Sequence, residues 1–221
     1  MSAITDLHAL RDRLAPSARM PVVFLGHGSP MNALEDTPYS RSWTALGQSL
    51  PEPAAILVVS AHWMTRGTTL VDVSNLPKTI HDFYGFPDAL YAMDYPAPGN
   101  PTLAREVVSL LASHHAAEDD TWGLDHGAWT VLRFLYPQAK VPVFQVSIDM
   151  GRGLEHQLEV GRTLSQLRDR GVLILGSGNV VHNLRAMRFG GAPQDFAVEF
   201  DQLFADRLGA RDLKALADRD G

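Results

Sequence analysis

Four histidines in this sequence stand beside or just beyond small residues at the ends of apolar runs: His27 in "FLGHGSP", His62 in "VVSAHW", His126 in "GLDHGAW" and His182 in "GSGNVVHNL". Imidazole is the commonest metal ligand and moves protons readily near neutral pH. A single histidine near a strand end is usually a hydrogen-bonded structural residue of intermediate burial. His27, His62 and His182, however, each follow a separate apolar run, with Gly, Ser or Ala close by to leave room for a ligand. In an open α/β sheet, ligands bind in the crevice outside the carboxyl ends of the strands. The recurrence therefore predicts three imidazoles at one rim, a set that binds a divalent metal and has acid–base chemistry at hand.

The rest of the composition narrows the donor set. The chain has no cysteine, so a metal must be held by imidazole, carboxylate or carbonyl groups, and nine histidines are available. His126 adds a further imidazole, with Asp125 before it either to orient the ring or to cap the apolar run that follows. His81 lies in "IHDFYGFP", where Phe83, Tyr84 and Phe86 are expected to wall an aromatic substrate. Ser29, in the turn that carries His27, is expected on the substrate side. His8, His114, His115 and His156 fall on expected helical stretches with no glycine turn beside them and read as surface or boundary residues.

Several function classes fail on sequence alone. "GSGNV" lacks the G-x-G-x-x-G of a dinucleotide fold, and no G-x-x-x-x-G-K-[ST] occurs. "GHGSP" is not the G-x-S-x-G nucleophile elbow, which leaves a serine hydrolase using Ser29, Ser60 or Ser177 as the weaker reading. A formal net charge of −6 carries no basic footprint for nucleic acid. No stretch reaches the roughly 18 consecutive apolar residues of a membrane span, and the N-terminal residues lack a signal-peptide core. A cytoplasmic protein is the expectation, with a homodimer left open.

The elements that must position these side chains read as alternating strands and helices. Strands are expected over Pro21–Leu25, Ala54–Ser60, Thr68–Val73, Val141–Ile148 and Val172–Leu175. The second, fourth and fifth are continuous apolar runs, as in strands covered on both faces. Helices are expected over residues 3–14, Pro101–Ser113, Leu154–Arg170 (ended by Gly171) and Gln194–Leu208. Alternation of this kind predicts an α/β fold: a single domain over residues 1–221, with a largely parallel central sheet flanked by helices and the metal site at the C-terminal edge of the strands. Ser74–Asn100 has no sustained period and reads as a functional loop.

The ordered motifs "GHGSPMNAL", "SAHW", "HDFYGFP", "GLDHGAW" and "GSGNVVHNL" closely resemble those of the class III extradiol ring-cleaving dioxygenases, and within them the 4,5-DOPA dioxygenase branch. The resemblance runs from about Pro21 to about Leu208. It implies an enzyme that inserts both atoms of O2 into a catechol-type ring. It puts His27 and His62 on metal-binding positions, His182 on an active-site imidazole that is a further ligand or an acid/base, and His126 on a position facing the substrate, so that His182 or His126 is the expected base. Fe(II) is the implied cofactor, and Zn(II) suits the same imidazoles. Relatives carry a further Glu or His ligand beyond the region matching Gly221, so the resemblance implies either a C-terminally truncated chain or water or a side chain such as Asp149 in that ligand's place. The alternatives are a zinc-dependent hydrolase built on the same imidazoles, and a catalytically impaired metal-binding relative lacking that ligand segment.

Overall fold

The computed structural model describes residues 19–183, 185–186, 192–212 and 215–216. The expected helix over residues 3–14 lies outside them. The chain divides into two compact units, the first ending at Gly178 and the second beginning at Asn179.

In the first unit the elements follow the order β1 (Val22–Gly26), α1 (Pro38–Ser49), β2 (Ala55–Ser60), β3 (Met64–Thr65), β4 (Thr69–Asp72), α2 (Asp88–Tyr91), α3 (Pro101–Leu110), β5 (Ala116–Asp119), α4 (His126–Leu135), β6 (Val143–Gln145), β7 (Ile148–Asp149), α5 (Leu154–Leu164) and β8 (Val172–Gly178). The second unit contains α6 (Asp195–Gly209). The central sheet has the order β1-β8-β2-β6 with every neighbour parallel, so all four strands end at the same rim. Two short parallel pairs, β3 with β7 and β4 with β5, lie outside it. This is the α/β architecture with a parallel central sheet that the alternating pattern predicts.

Strand pleating explains why the middle strands read as unbroken apolar runs. Successive side chains point to opposite faces, and both faces of β2 and β8 are buried. Ile56 and Val58 join Leu173 and Leu175 in one core with Trp43 of α1 and Trp129, Val131 and Leu132 of α4. Ala55 and Leu57 join Val172 and Ile174 in a second core with Leu103 and Val107 of α3 and Leu164 of α5. β1, at the sheet edge, is apolar throughout yet leaves Val22 and Phe24 exposed.

Two expected elements take a different form. The run Val141–Ile148 splits into β6 and β7, and between them Val146 donates its amide to the carbonyl of Val58 on β2 and forms an antiparallel bridge with Val71. The run Leu154–Arg170 is α-helical to Leu164 and then tightens to a 3₁₀ turn, stopped by Gly171 in the left-handed conformation (φ 75°). Three helices, α1, α4 and the single turn α2 inside the expected loop Ser74–Asn100, arise where the sequence predicts none. α1 starts with a capping box between Thr37 and Ser40 and with Pro38 in its first turn. α4 starts at Asp125, whose side chain accepts from the amide of Ala128.

Candidate metal centre and active site

His27 directly follows β1, and His62 lies two residues past β2, so the shared rim of the sheet delivers both. His126 arrives differently, as the first residue of α4. The three rings pack against one another, with centroids 4.9 Å apart for His27–His62, 4.0 Å for His62–His126 and 5.5 Å for His27–His126. One nitrogen from each lies within 4.8 Å of the others. Among the described residues this is the only group of three or more His, Asp or Glu side chains arranged so.

The hydrogen bonds around the rings fix their tautomers. Ser177, on β8 between β1 and β2, lies 2.9 Å from Nδ1 of His27. Its hydroxyl donates to the carbonyl of Gly127, so its oxygen must accept, and Nδ1 of His27 carries the proton. Asp82 serves the other two rings at once: Oδ2 lies 3.0 Å from Nδ1 of His62 and Oδ1 lies 2.9 Å from Nδ1 of His126. Oδ1 also accepts from the His126 backbone amide at 2.9 Å. Burial acts to raise the Asp82 carboxyl, but the hydrogen bonds from His126 and His62 outweigh it and hold the group well below the usual carboxylate range. An ionised carboxylate only accepts, so both Nδ1 atoms carry protons. All three imidazoles therefore turn their Nε2 lone pairs inward when neutral.

That arrangement is electrostatically incomplete without a cation. Nε2 of His62 lies 3.1 Å from Nε2 of His27, and two lone pairs at that separation repel unless a proton or a metal ion lies between them. Two nitrogens bound to one tetrahedral zinc ion stand about 3.3 Å apart, from Zn–N distances of about 2.0–2.1 Å. The donor set thus fits a divalent metal, with each ring braced from behind as metal-ligating histidines usually are. Burial lowers the affinity of His62 for a proton, yet the hydrogen bond and charge of Asp82, with a smaller contribution from Asp125, raise its pKa overall.

A buried polar layer holds this set from below. Asp125, fully buried, accepts from Ser60 Oγ at 2.6 Å, from Gln145 Nε2 at 3.0 Å and from Trp122 Nε1 at 3.3 Å. Ser60 in turn accepts from the backbone amide of His62 at 3.2 Å. Asp125 therefore caps α4, whereas Asp82 orients the His126 ring. Gly127 is where α4 comes closest: a Cβ there would meet Ser60 Oγ at 2.7 Å and His62 Cδ2 at 2.9 Å. Only glycine lets the helix start this near the second imidazole.

The remaining expected residues are placed as follows. Phe83 packs edge-on against His126 (5.6 Å) and against Phe86 (5.3 Å), forming an aromatic wall beside the imidazoles. His81 stands behind it, against Phe83 and Trp129, and its Nε2 donates to the carbonyl of Met93 at 3.0 Å. Tyr84 is 92% exposed. Ser29 is exposed, and its Oγ accepts from the amide of Met31 to cap a 3₁₀ turn. Asp149 is buried and stands outside the imidazole group, with Oδ1 accepting from the amides of Gly67 (2.7 Å) and Gly151 (2.9 Å). His182 is an exposed residue of the second unit. At the rim itself β8 presents Ser177, beside the His27 ring. Of the two side chains that brace the rings, the sequence marks Ser177 only as a candidate nucleophile and does not mark Asp82, which sits inside "HDFYGFP".

The family model for the catalytic LigB subunit of aromatic ring-opening dioxygenase matches residues 21–220. The 4,5-DOPA dioxygenase extradiol of Escherichia coli (strain K12) is 52% identical over 196 residues, covering 87% of this chain and 72% of that protein. The 4,5-DOPA dioxygenase extradiol of Beta vulgaris is 43% identical over 166 residues, covering 72% of this chain and 61% of that protein. The crystal structure of an uncharacterized protein from Escherichia coli K12 superposes with a TM-score of 0.74 at 46% identity, covering 86% of this chain and 73% of the other. The chain belongs to the family of the catalytic LigB subunit of aromatic ring-opening dioxygenases.

Proposed function

We propose that this chain opens the ring of a catechol, DOPA or a close analogue, next to its hydroxyl pair, with Fe(II) as the working metal and Zn(II) as a competing occupant of the same imidazoles. The observation that carries the reading is the tautomer pattern: three rings whose Nδ1–H groups are committed to Ser177 and Asp82, leaving Nε2 lone pairs face to face. His27 and His62 would hold the metal. A bound divalent ion would lower the pKa of a catechol hydroxyl and offer open positions to the diol and to dioxygen.

The protein's own groups account for the proton transfers. His126 accepts the hydroxyl proton at Nε2, and Asp82 at Nδ1 keeps that nitrogen basic and stabilises the imidazolium that results. The same ring later returns the proton to an oxygen of the opened product. Phe83 and Phe86 bound the catechol ring and keep water off its face. The buried Asp125–Ser60 layer holds the His62 backbone in register, so the two metal-facing nitrogens stay at ligand spacing.

The test is stopped-flow absorbance with protein loaded anaerobically with Fe(II) and mixed with oxygenated catechols, L-DOPA first. A yellow semialdehyde is expected from the iron-loaded protein and no colour from the zinc-loaded protein. Iron-loaded protein that stays colourless with every catechol overturns the assignment, and anaerobic ester cleavage by zinc-loaded protein favours a hydrolase instead.

A further inference from the structure

A cavity of about 410 Å³ opens between α1 and the C-terminal part of α4, lined among others by Leu34, Glu35, Arg41, Thr44, Arg133 and Phe134. Arg133 lies seven residues after His126 on α4, about 10 Å along the helix axis, so this is a separate place from the metal centre. Its guanidinium is half-buried but poorly matched. One N–H points at the thioether of Met93 (3.1 Å), and the group lies 5.4 Å from the centroid of the Phe134 ring. Among the described residues no carboxylate pairs with it, and burial draws its pKa down. A thioether is a weak acceptor and cannot replace the water that a guanidinium gives up. A partly dehydrated charge with such partners is costly unless an anion completes it.

The lining says which anion. A guanidinium fork matches the two oxygens of a carboxylate. Glu35 and Asp36 stand at the same cavity, and Asp36 already holds the exposed Arg41 at 2.9 Å, so a dianion such as phosphate would meet about twice the repulsion that a single charge meets. Leu34 and Phe134 supply apolar surface for a hydrocarbon body. We propose that this cavity is a second ligand site, taking a small monocarboxylate with an apolar body whose carboxylate is forked by Arg133. The site stands independently of the ring-opening reaction.

Isothermal titration calorimetry of the full chain tests it, with 3-phenylpropionate, its neutral amide and inorganic phosphate as probes. The carboxylate is expected to bind saturably at one site, with the amide and phosphate about tenfold weaker or worse. Arg133→Met should lower carboxylate affinity about tenfold or more while metal content and unfolding temperature stay put. Ala45→Trp, on the exposed side of α1 that lines the cavity, should do the same by filling it, and it decides the matter if the Arg133 variant does not fold. No carboxylate binding at millimolar concentration, equal binding of the amide, tighter binding of phosphate, or wild-type affinity in a folded variant of either kind would each overturn the site.

Discussion

Replacing His126 with glutamine is expected to leave the metal in place and lower kcat by about 10²–10⁴-fold, the usual contribution of a positioned general base. The reasoning rests on geometry. His27 and His62 are the pair at ligand spacing, whereas His126 stands beside them with its far nitrogen on Asp82. Glutamine keeps a polar group there but takes up no proton at neutral pH. Metal analysis and single-turnover absorbance on the same sample separate the two roles. Loss of the metal from the His126 variant would make it a ligand instead, and unchanged turnover would remove it from the proton path.

Asp82→Asn should act on two rings together. A neutral amide cannot accept from both Nδ1–H groups with the strength of a carboxylate, so the orientation of both His62 and His126 is weakened. Metal affinity should fall about 10–100-fold, as for other partners that brace a ligating imidazole, and turnover should fall further through His126. Metal-free protein adds a pH signature. The folded-state pKa of Asp82 is depressed, so its contribution to stability is present above about pH 4 and is lost as the pH falls below that. The pKa of His62 is raised, so its contribution is present below about pH 6.5 and is lost as the pH rises past the folded value. Denaturant unfolding from pH 3 to 9 should therefore show stability falling off at both ends in the wild type, and a flatter profile in the variant. Matching profiles would remove the bridging carboxylate from the account.

The parts of this architecture that depend on local pattern were legible in the sequence, and those that depend on distant pairs were not. β2, β6 and β8 announce themselves as apolar runs because both of their faces are covered. Gly171 marks the end of the α5 segment because only a residue at ease with positive φ stops it there. α1 escapes detection because it buries little beyond Ser40 and Trp43, too few positions for a periodic stripe. α4 escapes because it is buried on nearly every side, which erases the polar face that a period-seeking reading needs. His27 and His62 follow from strand ends beside small residues. His126 was recognised from its motif, but its contact with the other two rings depends on Gly127 letting a helix start against β2, a tertiary event. Asp82 lies 20 residues from one ring and 44 from the other, and no local rule links them.

The central claim is that His27 and His62 share one divalent ion, and metal content after dialysis measures it most directly. Wild-type chain reconstituted with Fe(II) or Zn(II) should retain one ion per chain, and His27→Ala and His62→Ala should each retain essentially none while keeping the secondary structure of the wild type. One full equivalent of metal still bound to the folded double variant would place the ion elsewhere and contradict the account.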